Sequence, residues 1–387
     1  SQKSGLTALV TALDGVKGGD KKSILVAAAD NRETKPGSFY EMWFGDGAAS
    51  LMVGEQDVIA EYRGSHSVSY DFCDHYRSSD KEVDYTWEER WLREEGYSKF
   101  VPEAVNGLME KIGITMEEVD KLAFPCIFKR DHIKIAKNLG AEPEKVVDNM
   151  HEVCGETGVA HPLVMFISAL EDAKPGDRIL VAGFGQGCTA AYFVVTENIR
   201  NLEERKGVRG CLSNKKVIDN YLKWLTFRER LDPDMGMRTE IPVKTAMTVL
   251  YRNRKMLLGL QGGKCRECQT VQYPKREVCV NPECGALRSQ DDVELADRSA
   301  TIKSFTSDVL AVSMDPPHQY GLVEFEGGGR LLADFTDCSD EDMKVGGPAE
   351  MVFRKRIEDK ERGFINYFWK AVPLPGGVAK VDFKDRV

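Results

Sequence analysis

No apolar run in this 387-residue chain approaches the roughly 18 residues that a membrane-spanning helix needs. A basic surplus is missing as well: the formal net charge is −9. Residues 1–212 carry 25 Lys+Arg against 35 Asp+Glu, and residues 213–387 carry 28 against 27. Nucleic-acid binding usually needs a cationic face, so neither half points to it, and neither points to a membrane surface. The opening SQKSGLTALV has no basic start and no small-residue cleavage site of the secretory kind. Low-complexity tracts and heptads are absent, and 42% hydrophobic with 30% charged residues is the composition of a folded globular chain. The first ten residues already read as domain interior, so further chain ahead of Ser1 is expected.

Of ten cysteines, four cluster at Cys265, Cys268, Cys279 and Cys284, and six are scattered through apolar or loop contexts. Scattered cysteines of that kind are small buried hydrophobes in a reducing compartment, which predicts a cytoplasmic protein. The length allows two or three domains, each with its own core.

Strand and helix alternate over the first two hundred residues. LTALVTALDGV has apolar residues at helical spacing and stops at Gly18–Gly19. SILVAAAD (23–30) is a continuous apolar run that predicts a buried central strand, and GDGAASLMVG (45–54) predicts another. Residues 61–99 are charged and aromatic, and predict a helical excursion on the surface. FVPEAVNGLMEKIG (100–113) reads as a helix, VDKLAFP (119–125) as a strand and HIKIAKNLG (132–140) as a helix. TGVAHPLVMFISALEDA (157–173) is a further helix, and RILVAGFGQG (178–187) and TAAYFVVTE (189–197) are adjacent buried strands. The pattern predicts a layered α/β domain over 1–200.

Residues 201–260 read as a linker with docking helices, VIDNYLKWLTFRERL (217–231) being amphipathic. After the cysteines come five short strand-like runs with Gly, Pro and Asp turns, which predict a small OB-type barrel over 291–375, and then a tail, 376–387.

The cluster KCRECQTVQYPKREVCVNPECG gives C-x2-C, ten residues, then C-x4-C. Two tight knuckles can bring four thiolates to one Zn2+, and with no ligand position left open the metal is structural. A zinc ribbon over 261–290 is expected, with Cys265, Cys268, Cys279 and Cys284 as ligands.

The knuckles, the aromatic helix before them and the β-rich run with NYFWKAVP together resemble the zinc-ribbon/OB-fold modules that accompany acyl-CoA enzymes. SGLTALVTALDGVKGGDKKSILVAAAD, GDGAAS and CGETGVAHPLVMFISALEDAKPGDRILVAGFGQG resemble the thiolase superfamily, nearest to 3-hydroxy-3-methylglutaryl-CoA synthase and ketoacyl synthase III. The resemblance implies a thiolase-like α/β fold, a coenzyme A thioester as substrate or ligand, and a homodimer or a complex with a catalytically intact thiolase. It also implies catalytic residues, and here the pattern departs. The nucleophilic Cys position falls on Gln2, whose amide cannot form a thioester. The His position falls on Pro125 or Cys126, with His132 beyond, and the Asn of a G-N-T motif is replaced by Glu156.

Three readings of that departure remain. The domain is a non-catalytic subunit, or catalysis is rewired through Cys126, Glu156 and His161, or a decarboxylating ketosynthase activity uses Gln2 in place of Cys. The turn Gly183, Phe184, Gly185, Gly187 has the wrong spacing for a phosphate loop; the resemblance puts it behind a thioester. Two alternatives stand outside the subunit reading: an independently active acyl-CoA synthase or acyltransferase, and an OB-fold that binds single-stranded nucleic acid. The acidic run DCSDEDMK and the near-neutral module oppose the latter.

Overall fold

The computed structural model describes residues 1–86, 88–202, 205–213, 215–234, 236 and 246–374; the expected tail at 376–387 lies outside them. The chain divides into two compact units, Ser1–Asn214 and Lys215–Val387.

The first unit is layered. Strands β1 (Ser23–Asp30) and β2 (Gly47–Gly54) pair antiparallel in a two-stranded sheet. Strand β3 (Ala60–Ser69) belongs to a second sheet, and β4 (His75–Tyr76) pairs with β5 (Tyr85–Thr86) in a short ribbon. The second sheet runs β3-β8-β7-β6, with β6 (Lys121–Ala123), β7 (Arg178–Gly185) and β8 (Gly187–Val195). Strand β6 runs parallel to β7, and the other pairings are antiparallel.

Side-chain alternation on β7 and β8 explains the layers. Leu180, Ala182, Phe184 and Ala190 face one core, which helix Ser98–Ile112 covers with Val101, Val105 and Leu108. Ile179, Val181, Ala191 and Phe193 face the other core, covered by helices Ser4–Lys17 and His161–Glu171. Because both faces are buried, these strands read as continuous apolar runs. Gly5 permits the close packing of helix Ser4–Lys17, since a Cβ there would collide with the Val159 carbonyl.

Two sequence expectations are corrected here. Residues 61–99 are helical only from Glu89 onward, and they are not a surface excursion: they begin with a strand of the main sheet and send Phe72, Leu92 and Tyr97 into the core. Their charge density masked a few deeply buried aromatics. SILVAAAD is a strand, but it is covered on one face only: Val26 and Ala28 are buried while Leu25 is 62% exposed.

In the second unit the helix expected over 217–231 is confined to Tyr221–Phe227. Asn220 caps its start by accepting from the Lys223 N–H, and Glu229 at φ 56° turns the chain out of helical geometry. Strands β9 (Gln261–Cys265), β10 (Val271–Gln272) and β11 (Gln290–Glu294) form a small sheet in the order β10-β9-β11. Strands β12 (Ala300–Asp308), β13 (His318–Phe325), β14 (Arg330–Asp334), β15 (Pro348–Asp359) and β16 (Phe364–Pro373) form a five-stranded antiparallel sheet, ordered β14-β13-β12-β15-β16. A parallel bridge between Phe335 and Ala371 joins its two ends into the OB-type barrel. Ile302, Val323, Phe325 and Met351 fill that barrel.

Candidate functional site

Gln2 lies just before helix Ser4–Lys17, pressed against the β7–β8 turn. A Cβ on Gly185 would run into Ser1 Oγ and the backbone nitrogens of Gln2 and Lys3, so only glycine lets the turn approach this closely. Gly187, at φ 101°, closes the hairpin in a conformation that favours glycine. Gly183 packs near Leu6 and Pro162, and Phe184 is a core residue stacked on Tyr97 with ring centroids 3.9 Å apart. The turn joins two strands directly, with no helix after it to present a phosphate-binding end.

Gln2 is 4% exposed, and its Nε2 donates to Glu156 Oε2 at 3.1 Å. Glu156 is fully buried; its Oε1 accepts from the Gly158 N–H at 2.9 Å and its Oε2 from Arg32 Nη1. Arg32 Nε donates to Asp84 Oδ2 at 3.0 Å, and Asp84 Oδ1 accepts from Arg77 Nε at 2.8 Å. The Arg32 guanidinium also lies 3.8 Å over the Phe44 ring. Burial opposes the Arg32 charge, but Glu156 and Asp84 outweigh it and raise the pKa above the ordinary arginine value. Arg32 is thus buried between two buried carboxylates, and the half-exposed Arg77 pairs with the outer one, so each buried charge has an opposite partner. Sequence reasoning found Gln2 and Glu156 but missed Arg32 and Asp84, which are distant in sequence and carry no motif.

Gln2, Asp74, His75, Thr86, Leu92 and Tyr97 are among the residues that line a cavity of about 10 Å3 beside this network. That is room for about one water molecule, not for an acyl-pantetheine arm. His75 Nδ1 and Asp74 Oδ2 are 2.7 Å apart there.

The other candidates are buried and bonded to backbone groups. His161 Nδ1 accepts from the Thr157 N–H at 3.1 Å, so its proton is on Nε2, which donates to the Asn149 carbonyl at 2.8 Å. Burial lowers its pKa, keeping it neutral. Cys126 is buried, its thiol faces the Phe128 carbonyl, and burial pushes its pKa up to about 12. His132 bonds the Phe124 carbonyl at 3.1 Å and is lowered by burial to about 4. Pro125 is buried beside it. Asn149 ties Cys126 to His161 through the backbone, its Nδ2 donating to the Cys126 carbonyl at 3.2 Å. Each of these polar side chains already has a partner.

In the second unit, the Cys265, Cys268, Cys279 and Cys284 sulfurs all lie within 4.8 Å of one another. Cys265 and Cys284 are 3.9 Å apart, and Cys268 and Cys279 are 3.5 Å apart. A tetrahedron with Zn–S bonds of about 2.3 Å has sulfur–sulfur edges of roughly 3.8 Å, so the four thiols fit the ion. Left-handed backbone at Gln269 (φ 63°) and Gly285 (φ 54°) turns each knuckle. The Thr270 hydroxyl lies 3.2 Å from Cys268 Sγ and the Ser289 hydroxyl 3.1 Å from Cys265 Sγ, and these hydrogen bonds favour the thiolate at those two cysteines. Four sulfur ligands fill the coordination sphere, so the zinc is structural.

Residues 109–196 match the family described as 3-Oxoacyl-[acyl-carrier-protein (ACP)] synthase III C terminal. The first unit has the thiolase-like α/β fold. Residues 260–288 match the ChsH2 rubredoxin-like zinc ribbon domain, and residues 292–354 match the ChsH2 C-terminal OB-fold domain. Among curated proteins, the chain is 30% identical over 232 residues to the hydroxymethylglutaryl-CoA synthase of Methanopyrus kandleri, covering 59% of this chain and 66% of that protein. It is 30% identical over 225 residues to that of Thermococcus onnurineus, covering 56% and 63%. The chain therefore spans a little under two thirds of these relatives. Among solved structures it overlaps the 3-oxoacyl-[acyl-carrier-protein] synthase III of Aquifex aeolicus at 21% identity, with TM-score 0.45 over 50% of this chain and 64% of that one. An HMG-CoA synthase complexed with CoA gives 15% identity and TM-score 0.46 over 55% and 58%.

Proposed function

We propose that this chain is a subunit for acyl-CoA carbon–carbon bond formation or cleavage whose thiolase-like domain forms no acyl-enzyme. The observation that carries the reading is the Gln2–Glu156–Arg32 network. The residue aligned with the family nucleophile is an amide already bonded to a carboxylate, and that carboxylate is neutralised by a buried arginine. A covalent acyl intermediate needs an activated nucleophile, and Gln2 supplies none. Cys126, the thiol that a rewired catalysis would use, is held protonated by burial.

In this reading the zinc ribbon braces the assembly and the OB-fold helps hold the coenzyme A thioester. The activity belongs to a complex with a catalytically intact thiolase, or to a dimer. The hydroxymethylglutaryl-CoA synthase relatives support the ligand class, and the ChsH2 domains support the architecture.

The test is incubation of the purified chain with radiolabelled acetyl-CoA, followed by acid precipitation and peptide mapping. No protein-bound label is expected. Label on Cys126 that disappears in Cys126→Ser, with turnover by the chain alone, overturns the reading in favour of an independent acyltransferase.

A further inference from the structure

The β15–β16 hairpin continues well beyond the barrel. From Phe353 to Arg356, and from Phe364 to Ile365 on the return strand, its residues are exposed. The pairing register places Phe353 opposite Trp369, Arg354 opposite Phe368 and Lys355 opposite Tyr367. Alternation then gives the two faces different chemistry. One carries an aromatic ladder: Phe353 and Tyr367 stack at 5.1 Å and 11°, and Trp369 lies 5.1 Å from Phe353. The other carries Phe368, with Lys370 Nζ 5.1 Å and Arg356 Cζ 5.9 Å from its ring centroid.

Charge accounting picks out the second face. Lys355 pairs with Glu358 at 2.7 Å, Lys360 with Glu229 at 2.9 Å, Arg354 with Asp337 at 2.7 Å, and Arg362 with Asp359. Among the described residues, Arg356 and Lys370 have no carboxylate partner, and both sit at the Phe368 ring. The ribbon thus offers one aromatic surface and two uncompensated cations within reach of it. That is the complement of a planar base joined to a short run of phosphates. It is a poor complement to a long polyanion, because sites for single strands track several nucleotides with unpaired basic side chains, and every other cation here is neutralised.

We propose that the Phe368 face of this ribbon binds a nucleotide, its base against the ring and its phosphates on Arg356 and Lys370. The nucleotide is that of coenzyme A, so the proposal rests on the acyl-CoA reading for its ligand. It goes further in naming which end of the thioester the OB-fold holds: the charged end, away from the reacting carbon.

Equilibrium binding of coenzyme A, pantetheine and a 15-residue oligothymidylate to the full chain tests this, independently of any acyl transfer. Wild type is expected to bind coenzyme A at least tenfold tighter than pantetheine. The double variant Arg356→Gln/Lys370→Gln should lose at least tenfold for coenzyme A and change little for pantetheine. Phe368→Leu, which keeps both cations, should also weaken coenzyme A. Unchanged zinc content and melting temperature confirm that both variants fold. Equal coenzyme A affinity in wild type and double variant overturns the site, as does wild-type binding of coenzyme A no tighter than pantetheine. Tighter, steeply salt-dependent binding of the oligonucleotide overturns the choice of ligand. Protein acylation in the preceding experiment would leave these affinities informative, so the two readings fail separately.

Discussion

Gln2 Nε2 and Glu156 Oε2, 154 residues apart in sequence, meet in a 3.1 Å hydrogen bond whose acceptor is also ion-paired with Arg32. Two consequences follow from the burial of this group. Breaking a buried pair by removing one charge strands the other, which typically costs about 3–5 kcal/mol. Arg32→Met should therefore destabilise the first unit by about that much in urea denaturation. Glu156→Gln, which keeps one acceptor for Arg32 and leaves Asp84 in place, should cost less. A loss below about 0.5 kcal/mol for Arg32→Met would mean that the network is solvated and not structural.

The layered fold was legible because β7 and β8 are buried on both faces and show it as unbroken apolar runs. The zinc site was legible because its four ligands lie within twenty residues of one another, as two knuckles. Arg32, Asp84, Asp74 and His75 were not legible. Arg32 follows β1, and Asp74, His75 and Asp84 come from the segment after β3, which the sequence presented as surface; tertiary packing brings them to Gln2. Leu25 misled in the opposite direction: an apolar run fits a buried strand, but the chemistry of Leu25 cannot say whether a neighbour covers it. The reach of β15–β16 past its barrel also leaves little local trace, because exposed aromatics and core aromatics look alike in sequence.

One Zn2+ per chain is expected by elemental analysis of the reduced protein. Cys268→Ala removes a ligand from a site whose apparent binding free energy is on the order of 10 kcal/mol in zinc-finger peptides. The variant should lose its metal and unfold the knuckles between Cys265 and Ser289, visible as protease cleavage there. A chelator should do the same to the wild type. Retention of a full zinc equivalent in Cys268→Ala would place the metal elsewhere.

Acid should destabilise the first unit before its carboxylates titrate. Burial lowers His132 to about 4 and His151 to about 3, and the His151 ring lies 4.9 Å from that of His161. A folded-state pKa below the unfolded value near 6.5 means that the unfolded chain binds protons first as pH falls. The contribution is present above about pH 6.5 and declines on acidification toward about pH 4 for His132 and pH 3 for His151. Two histidines give a slope of roughly 2–3 kcal/mol per pH unit in the middle of that window. Urea midpoints measured from pH 7 to pH 5 should fall accordingly, and His151→Gln should flatten the slope. A midpoint independent of pH across that interval would sink this account.

Placing a thiol at position 2 should not by itself confer acyl transfer. Gln2→Cys places the sulfur beside Glu156, a fully buried carboxylate, where negative charge opposes the thiolate that would have to form. The same carboxylate faces any enolate or oxyanion that develops next to the sulfur. Catalysis of this type depends on donors aimed at that charge, so a carboxylate there works against it. Arg32 offsets part of the repulsion, but its guanidinium already serves Asp84 and Glu156. The double variant Gln2→Cys/Glu156→Asn removes the opposing charge and supplies an amide donor, while Asp84 remains to balance Arg32. Incubation with radiolabelled acetyl-CoA should leave Gln2→Cys unlabelled and label the double variant measurably, because the barrier at this site is electrostatic as well as nucleophilic. Rapid labelling of Gln2→Cys alone would show that the missing sulfur was the whole of the defect and that Glu156 does not suppress the chemistry.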